Sequence, residues 1–119
     1  MQVKESAGER KLLIRLQLEG LMKGALWQEP IFLGVKQVLA DGREVERATI
    51  PEVQYPRSLV CLYLDGPPHL KDKVMERDSE LRELLRGLGW RVLEFPYTPP
   101  LSDARLKEIT TSIQEALPH

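Results

Sequence analysis

The chain has 119 residues, of which 42% are hydrophobic and 29% are charged, a size and balance that exclude wholesale disorder and predict one globular domain over residues 1–119. Its net charge of −1 at pH 7 excludes a general attraction to polyanions, so nucleic-acid binding would need a local basic patch. The sequence contains no long apolar run, and its start, MQVKESAGERK, lacks the apolar core of a signal peptide. We therefore expect a cytoplasmic protein that does not span a membrane.

The first part of the chain predicts a helix followed by a β-hairpin. Apolar residues recur at helical spacing over residues 6–22, which begin with SAGE. Serine at the cap with glutamate three residues later is a capping box, because each side chain can satisfy a backbone N–H group of the first turn. The segments 31–39 and 43–50 partly alternate in polarity on either side of Asp41-Gly42, which predicts a hairpin with a tight turn.

A short segment between Pro51 and Pro56 precedes the most hydrophobic part of the chain. Because proline cannot donate a hydrogen bond to a β-ladder, this segment is expected to be an edge strand or a strand end. The next run, LVCLYL at 59–64, is apolar on both faces and predicts a central strand covered on both sides. Its cysteine, Cys61, is expected to be a small buried hydrophobe.

The second half of the chain predicts a strand, a helix, a strand and a final helix. Helical spacing runs over 71–88, a core strand follows at 90–95, and Ser102 can cap the last helix. A right-handed parallel crossover is the expected connection over 59–95. The predicted fold class is therefore α/β, with a central mixed β-sheet flanked by helices in the order α-β-β-β-α-β-α.

Polar groups with catalytic potential follow the predicted central strand. Asp65 ends it, His69 follows in a proline-rich loop, and Asp78 lies in the next helix. Acids and an imidazole at one sheet end can bind a metal ion and transfer protons. Each also has an ordinary structural explanation: Asp65 begins a turn signal, Glu9 closes the capping box, and Asp78 belongs to the solvated face of an amphipathic helix.

In this arrangement the chain resembles the Vsr-type endonucleases, a family with the restriction-endonuclease-like fold of the PD-(D/E)XK superfamily. The similarity covers most of the chain, and the sequence LYLDGPPH, then RD, then the pattern L-x-x-L-G-W-x-V carry it. The resemblance implies a DNA endonuclease or nickase that hydrolyses phosphodiester bonds with Mg²⁺ or Mn²⁺. Because no separate recognition domain is evident, we expect a homodimer or a partner protein that supplies specificity.

The resemblance also implies a set of catalytic residues, which in this chain are Glu9, Glu52, Asp65, His69 and Asp78. Asp65 and Glu52 would bind the metal ion, which stabilises the charge that develops on the phosphate oxygens. His69 would activate water or protonate the leaving group, and Asp78 would orient its imidazole. Glu9 would be an outer support.

Two basic residues, Lys71 and Arg77, would meet the substrate phosphate. The chain also departs from the superfamily pattern: Glu52 stands in place of an aspartate, Tyr63 in place of a glutamate, and the lysine of the acid-x-lysine motif is absent after Asp65. These departures leave a second hypothesis open, a catalytically degraded nuclease-fold module that binds DNA or a protein partner. A third is a small interaction protein in which the aspartate only begins a turn.

Overall fold

The computed structural model describes residues 6–66 and 72–118, with only the backbone described for 72–78. The elements in chain order are α1 (Ala7–Leu18), β1 (Leu26–Trp27), β2 (Ile31–Val38), β3 (Glu44–Thr49), β4 (Val53–Tyr55), a 3-10 turn (Pro56–Ser58), β5 (Val60–Asp65), α2 (Asp72–Gly87), β6 (Arg91–Pro96) and α3 (Asp103–Ala116). The protein is a mixed α/β structure, as predicted. The short strands β1 and β4 are additions to the predicted order.

A mixed four-stranded sheet in the order β1-β4-β5-β6 forms the centre of the fold. β5 and β6 are parallel, which confirms the predicted parallel pairing across α2, and the other two pairings are antiparallel. The prediction of an edge position for the proline-flanked segment was wrong, because β4 pairs with a strand on each side. Pro51 and Pro56 lie just outside its three residues, so neither removes a donor from the ladder.

The predicted hairpin is present, but it forms a two-stranded sheet of its own from β2 and β3. Its register shifts between Phe32 and Lys36, and Gly34 lies in this irregular stretch with a φ of +72°. Glycine adopts this left-handed backbone without the steric cost that a Cβ atom would bring. The base of the hairpin packs on the central sheet through Ile31 and Leu33, which are both buried.

Strand β5 is buried on both faces, as its sequence predicts, and it separates two hydrophobic clusters. On one face Leu62 packs with residues of α1 and α3, including Leu12 and Ile113. On the other face Cys61 and Tyr63 pack with residues of α2 and β2. The Cys61 side chain is fully buried, and this burial raises the pKa of its thiol to about 12. The thiolate that nucleophilic chemistry requires is therefore absent near neutral pH.

The helix ends largely follow the predicted signals. Ser6 and Glu9 form the predicted capping box at the start of α1, and the Ser102 hydroxyl accepts the Arg105 N–H at the start of α3. Helix α1 ends at Leu18, earlier than expected, ahead of Gly20 with a φ of +71°. Among the described residues, no helix combines the length and the apolar character needed to cross a bilayer.

Candidate functional site

Three of the predicted site residues lie along one edge of the central sheet, namely the edge formed by the end of β5 and the start of β4. Asp65 is the last residue of β5, and Glu52 directly precedes β4, which runs antiparallel to β5. The start of α1 reaches the same edge, because Gly8 packs closely against Tyr97, whose backbone N–H donates to the Asp65 carbonyl at 2.9 Å. We refer to Glu9, Glu52 and Asp65 as the acidic edge.

Within the acidic edge, Gln28 joins the carboxylates of Glu9 and Glu52. Its Nε2 atom donates to Glu9 Oε2 at 2.5 Å and to Glu52 Oε2 at 3.1 Å. The Gln28 backbone has a φ of +53° and its N–H donates to the Glu52 carbonyl at 2.8 Å. The other Glu9 oxygen accepts the Ser6 N–H in the capping box, so Glu9 has both its ordinary helix-capping role and a place in this cluster.

The Asp65 carboxylate is bound by a buried arginine of α2. Arg82 Nη2 donates to Asp65 Oδ1 at 2.7 Å and Arg82 Nη1 donates to Asp65 Oδ2 at 2.8 Å. This is the two-pronged geometry in which a planar guanidinium matches a carboxylate. Only 8% of the Arg82 side chain is exposed. Both oxygens of the acid expected to bind a metal ion thus accept hydrogen bonds from a cation of the chain itself.

The same guanidinium belongs to a wider arginine network, which consists of Asp65, Arg82, Glu94, Arg86 and Glu83. Arg82 Nη1 also donates to Glu94 Oε2 at 2.7 Å, and Arg86 pairs with both Glu94 and Glu83. Burial alone would raise the pKa of Glu94, but hydrogen bonds from the two arginines outweigh it, and the pKa of this carboxyl is lowered. The network therefore favours the charged form of Glu94.

The Tyr63 ring packs against the Arg82 guanidinium of this network. The Cζ atom of Arg82 lies 3.8 Å from the centroid of the Tyr63 ring, within the range of a cation–π contact. The Tyr63 hydroxyl lies 2.6 Å from Thr49 Oγ1 at the end of β3, and both residues are buried. Position 63 therefore provides an aromatic ring that packs against an arginine.

The remaining predicted site residues fall where the structure gives no side chain. His69 and Lys71 lie outside the described residues, and Arg77 and Asp78 lie in α2 where only the backbone is described. Among the described residues, no group of three or more His, Cys, Asp or Glu side chains is arranged to hold a metal ion. The metal-binding roles of Asp65 and Glu52 therefore stay predictions.

Sequence reasoning did not select three residues that the structure places in or beside the acidic edge: Gln28, Arg82 and Glu94. The parallel register of β5 and β6 sets Tyr63 beside Glu94, and α2 crosses from one strand to the other with Arg82 next to the buried Leu81. An arginine adjacent to a buried helix stripe, between two strands that each carry an acid near the carboxyl end, is the signal that indicates such a network.

Comparisons with protein-family models, with curated proteins and with solved structures gave no match to this chain.

Proposed function

We propose that this chain is a nuclease-like module that binds nucleic acid and has lost metal-dependent hydrolysis at Asp65. The observation that carries the proposal is the bond between Arg82 and both oxygens of Asp65. A guanidinium supplies there the positive charge that a hydrolytic site would take from a metal ion. The acid thereby contributes to the stability of the fold and not to a reaction.

Electrostatics argue against a divalent ion at this carboxylate while Arg82 stays in place. Two like unit charges about 4 Å apart repel by about 4 kcal/mol at an effective dielectric of 20, and a divalent ion doubles that figure. Moving the guanidinium away would instead leave a largely buried cation without its carboxylates, which is also costly. The Asp65 site is therefore a poor one for Mg²⁺ or Mn²⁺.

The exchange of glutamate for tyrosine at position 63 supports the same proposal. Position 63 lies on the same face of β5 as Asp65, because side chains alternate along a strand. A tyrosine there removes one metal ligand of the superfamily pattern and gives the guanidinium an aromatic surface. The departure at Tyr63 is thus consistent with the contact that Arg82 makes with Asp65.

Nucleic acid is the partner that we propose, on the basis of the resemblance to the Vsr-type endonucleases. With a net charge of −1, such binding would depend on a local group of basic side chains and would weaken steeply with salt. Lys11 and Arg105 are candidates for such a group, since Lys11 bonds to the Leu101 carbonyl and Arg105 bonds to the Pro96 carbonyl at the end of β6.

A second candidate function is the Mg²⁺-dependent DNA endonuclease or nickase that the resemblance implies. The contact of Gln28 with both Glu9 and Glu52 favours it, since two carboxylates share one side of the acidic edge. This site would have to work without the Asp65 oxygens or to recruit groups outside the described residues.

One set of assays separates the two candidates. Supercoiled plasmid is incubated with the protein in Mg²⁺ and in Mn²⁺, and metal uptake is measured by calorimetry with the wild type and with Asp65→Asn and Glu52→Gln. We expect no nicking and no uptake that depends on Asp65, together with salt-sensitive binding of a DNA duplex. Nicking by the wild type that Glu52→Gln abolishes, with its circular dichroism unchanged, would instead establish the enzyme. If the protein binds no DNA duplex at any salt concentration, the proposal that it is a nucleic-acid-binding module is refuted.

A further inference from the structure

A pocket of about 510 Å³ opens beside the acidic edge, at the carboxyl ends of the parallel strands β5 and β6. Its walls are Gly66 after β5, the chain from Pro96 to Thr98 at the end of β6, the chain from Pro100 to Ser102, and Arg105 in the first turn of α3. Ligands of open α/β sheets bind outside the carboxyl ends of the strands, and the volume suits a molecule of nucleotide size.

Tyr97 forms the wall between this pocket and the acidic edge. A Cβ atom at Gly8 would lie 2.5 Å from the Tyr97 hydroxyl, and one at Gly66 would lie 3.6 Å from its ring. The ring therefore approaches the backbone at two glycines, and the Tyr97 N–H is bonded to the Asp65 carbonyl. This packing makes the wall a rigid, largely apolar surface.

Arg105 brings a guanidinium to the pocket, and its ion pair with Glu108 offsets part of the positive charge. Its Nη2 donates to the Pro96 carbonyl at 2.8 Å, its Nη1 donates to Glu108 Oε2 at 2.6 Å, and its guanidinium lies 5.1 Å from the centroid of the Phe95 ring. These two bonds use two of the five N–H donors of an arginine. The guanidinium is thus held in one place with donors left to bind an anion.

A second cation and two hydroxyls complete the chemistry of the pocket. Lys11 Nζ donates to the carbonyl of Leu101, a residue of the pocket wall, at 3.3 Å, which places an ammonium group of α1 beside the pocket. Thr98 and Ser102 also line it, and each carries a hydroxyl. Positive groups and hydroxyls beside an apolar ring and prolines are the combination that accepts a phosphate attached to a nucleoside.

We propose that this pocket binds the terminal phosphate of a nucleic-acid strand together with its nucleoside. The inference rests on the proposed function, which it deepens by naming the part of the nucleic acid that is bound. A terminal phosphate carries a charge of roughly −1.5 to −2, against −1 for an internal phosphodiester. Two cations therefore attract a strand end more strongly than the interior of a strand.

The test compares single-stranded 12-mers that carry a 5′-phosphate, a 3′-phosphate or neither, each with an internal fluorophore, by anisotropy at low salt. We expect one phosphorylated form to bind the wild type about five- to tenfold more tightly than the unphosphorylated strand. Arg105→Gln should abolish the difference, and Lys11→Gln should reduce it. Lys107→Gln is the matched control and should preserve the difference, because Lys107 is an exposed cation of α3 that lines a separate depression, whereas Lys11 bonds to the pocket residue Leu101.

Other outcomes of these binding experiments distinguish this inference from the proposed function. Equal binding of all three strands by the wild type would overturn the inference that the pocket binds a terminal phosphate, and it would leave the proposal of nucleic-acid binding intact. A preference that survives in both Arg105→Gln and Lys11→Gln, each with unchanged thermal unfolding, would also overturn it. Binding of thymidine monophosphate with chemical-shift changes confined to the pocket, without binding of any strand, would refute both the proposed function and the strand-end inference, and would show a mononucleotide site.

Discussion

Arg82 lies over the ring of Tyr63, with 3.8 Å between its Cζ atom and the ring centroid. The guanidinium bonds at the same time to Asp65, two residues further along the same strand. One face of β5 therefore provides both the aromatic surface and the anion for a single cation, and Glu94 of β6 adds a second anion. This relationship fixes α2 against the two parallel strands that it connects.

The first prediction concerns loss of the cation. Arg82→Ala should lower the free energy of unfolding by about 3 kcal/mol, because breaking a buried ion pair from one side leaves its partners without compensation. Such losses typically cost about 3–5 kcal/mol. We expect the low end of this range because 37% of the Asp65 side chain and 38% of the Glu94 side chain are exposed. Urea unfolding measures it.

Arg91→Ala is the control for this experiment, since Arg91 is an exposed arginine at the start of β6. Its loss should change the free energy of unfolding by no more than about 0.5 kcal/mol. Arg82→Lys should fall between the two, because an ammonium cannot bind a carboxylate through two parallel N–H groups. Equal stability of Arg82→Ala and Arg91→Ala would show that the network contributes nothing.

The second prediction concerns acid stability. The pKa of Glu94 is lowered in the fold from its usual 4.5, so the folded state binds fewer protons at this group than the unfolded state does. The resulting stabilisation is present above pH 4.5 and is lost as the pH falls below it towards the folded pKa. Glu94→Gln should therefore show a shallower loss of stability between pH 5 and pH 3. Parallel pH profiles of the two proteins would contradict this account.

The third prediction concerns the buried hydroxyl pair of Tyr63 and Thr49, whose oxygens lie 2.6 Å apart. Tyr63→Phe should cost about 1–2 kcal/mol because it leaves the Thr49 hydroxyl buried without this partner. Thr49→Val should cost a similar amount. In the double variant the two losses should not add, with a coupling of about 1 kcal/mol by chemical denaturation. Strict additivity would mean that the bond contributes nothing to stability.

The fourth prediction concerns the close packing of Gly8 on Tyr97. In Gly8→Ala the new Cβ atom would stand 2.5 Å from the Tyr97 hydroxyl, so the ring must move, at a cost of about 1–3 kcal/mol. Gly87→Ala is the matched control, because this glycine also lies in a helix and has open space around it. The control should gain about 0.5–1 kcal/mol from helix propensity. Thermal unfolding compares the stability of the two variants. Equal gains in stability would show that the Tyr97 ring moves aside without cost.

The sequence was sufficient for most of the secondary structure because the signals were local. The capping box at Ser6, the turn at Asp41-Gly42 and the apolar run of β5 each depend on neighbours within a few residues. The position of β4 was missed because a proline-flanked segment indicates an edge only if its prolines fall within the paired residues. Whether they do is decided by the register with β5, which is a tertiary property.

The candidate site was less predictable, since its contacts join residues that are distant in sequence. The structure pairs the Arg82 guanidinium with Asp65 and Glu94, which lie 17 and 12 residues away in the sequence on the two strands that α2 packs against. Gln28 could not be selected from sequence at all, since its role follows from a left-handed backbone that turns its side chain towards Glu9 and Glu52.

Strand β5 contributes one row of side chains to each of two hydrophobic clusters, and this sharing couples them. If α2 detached from the sheet, water would reach Cys61 and Tyr63, and the same strand holds Leu62 in the opposite cluster. Neither half of the interior can melt without weakening its counterpart across the backbone they have in common. The two layers should therefore disappear in a single cooperative step, with fluorescence and far-ultraviolet circular dichroism following one curve.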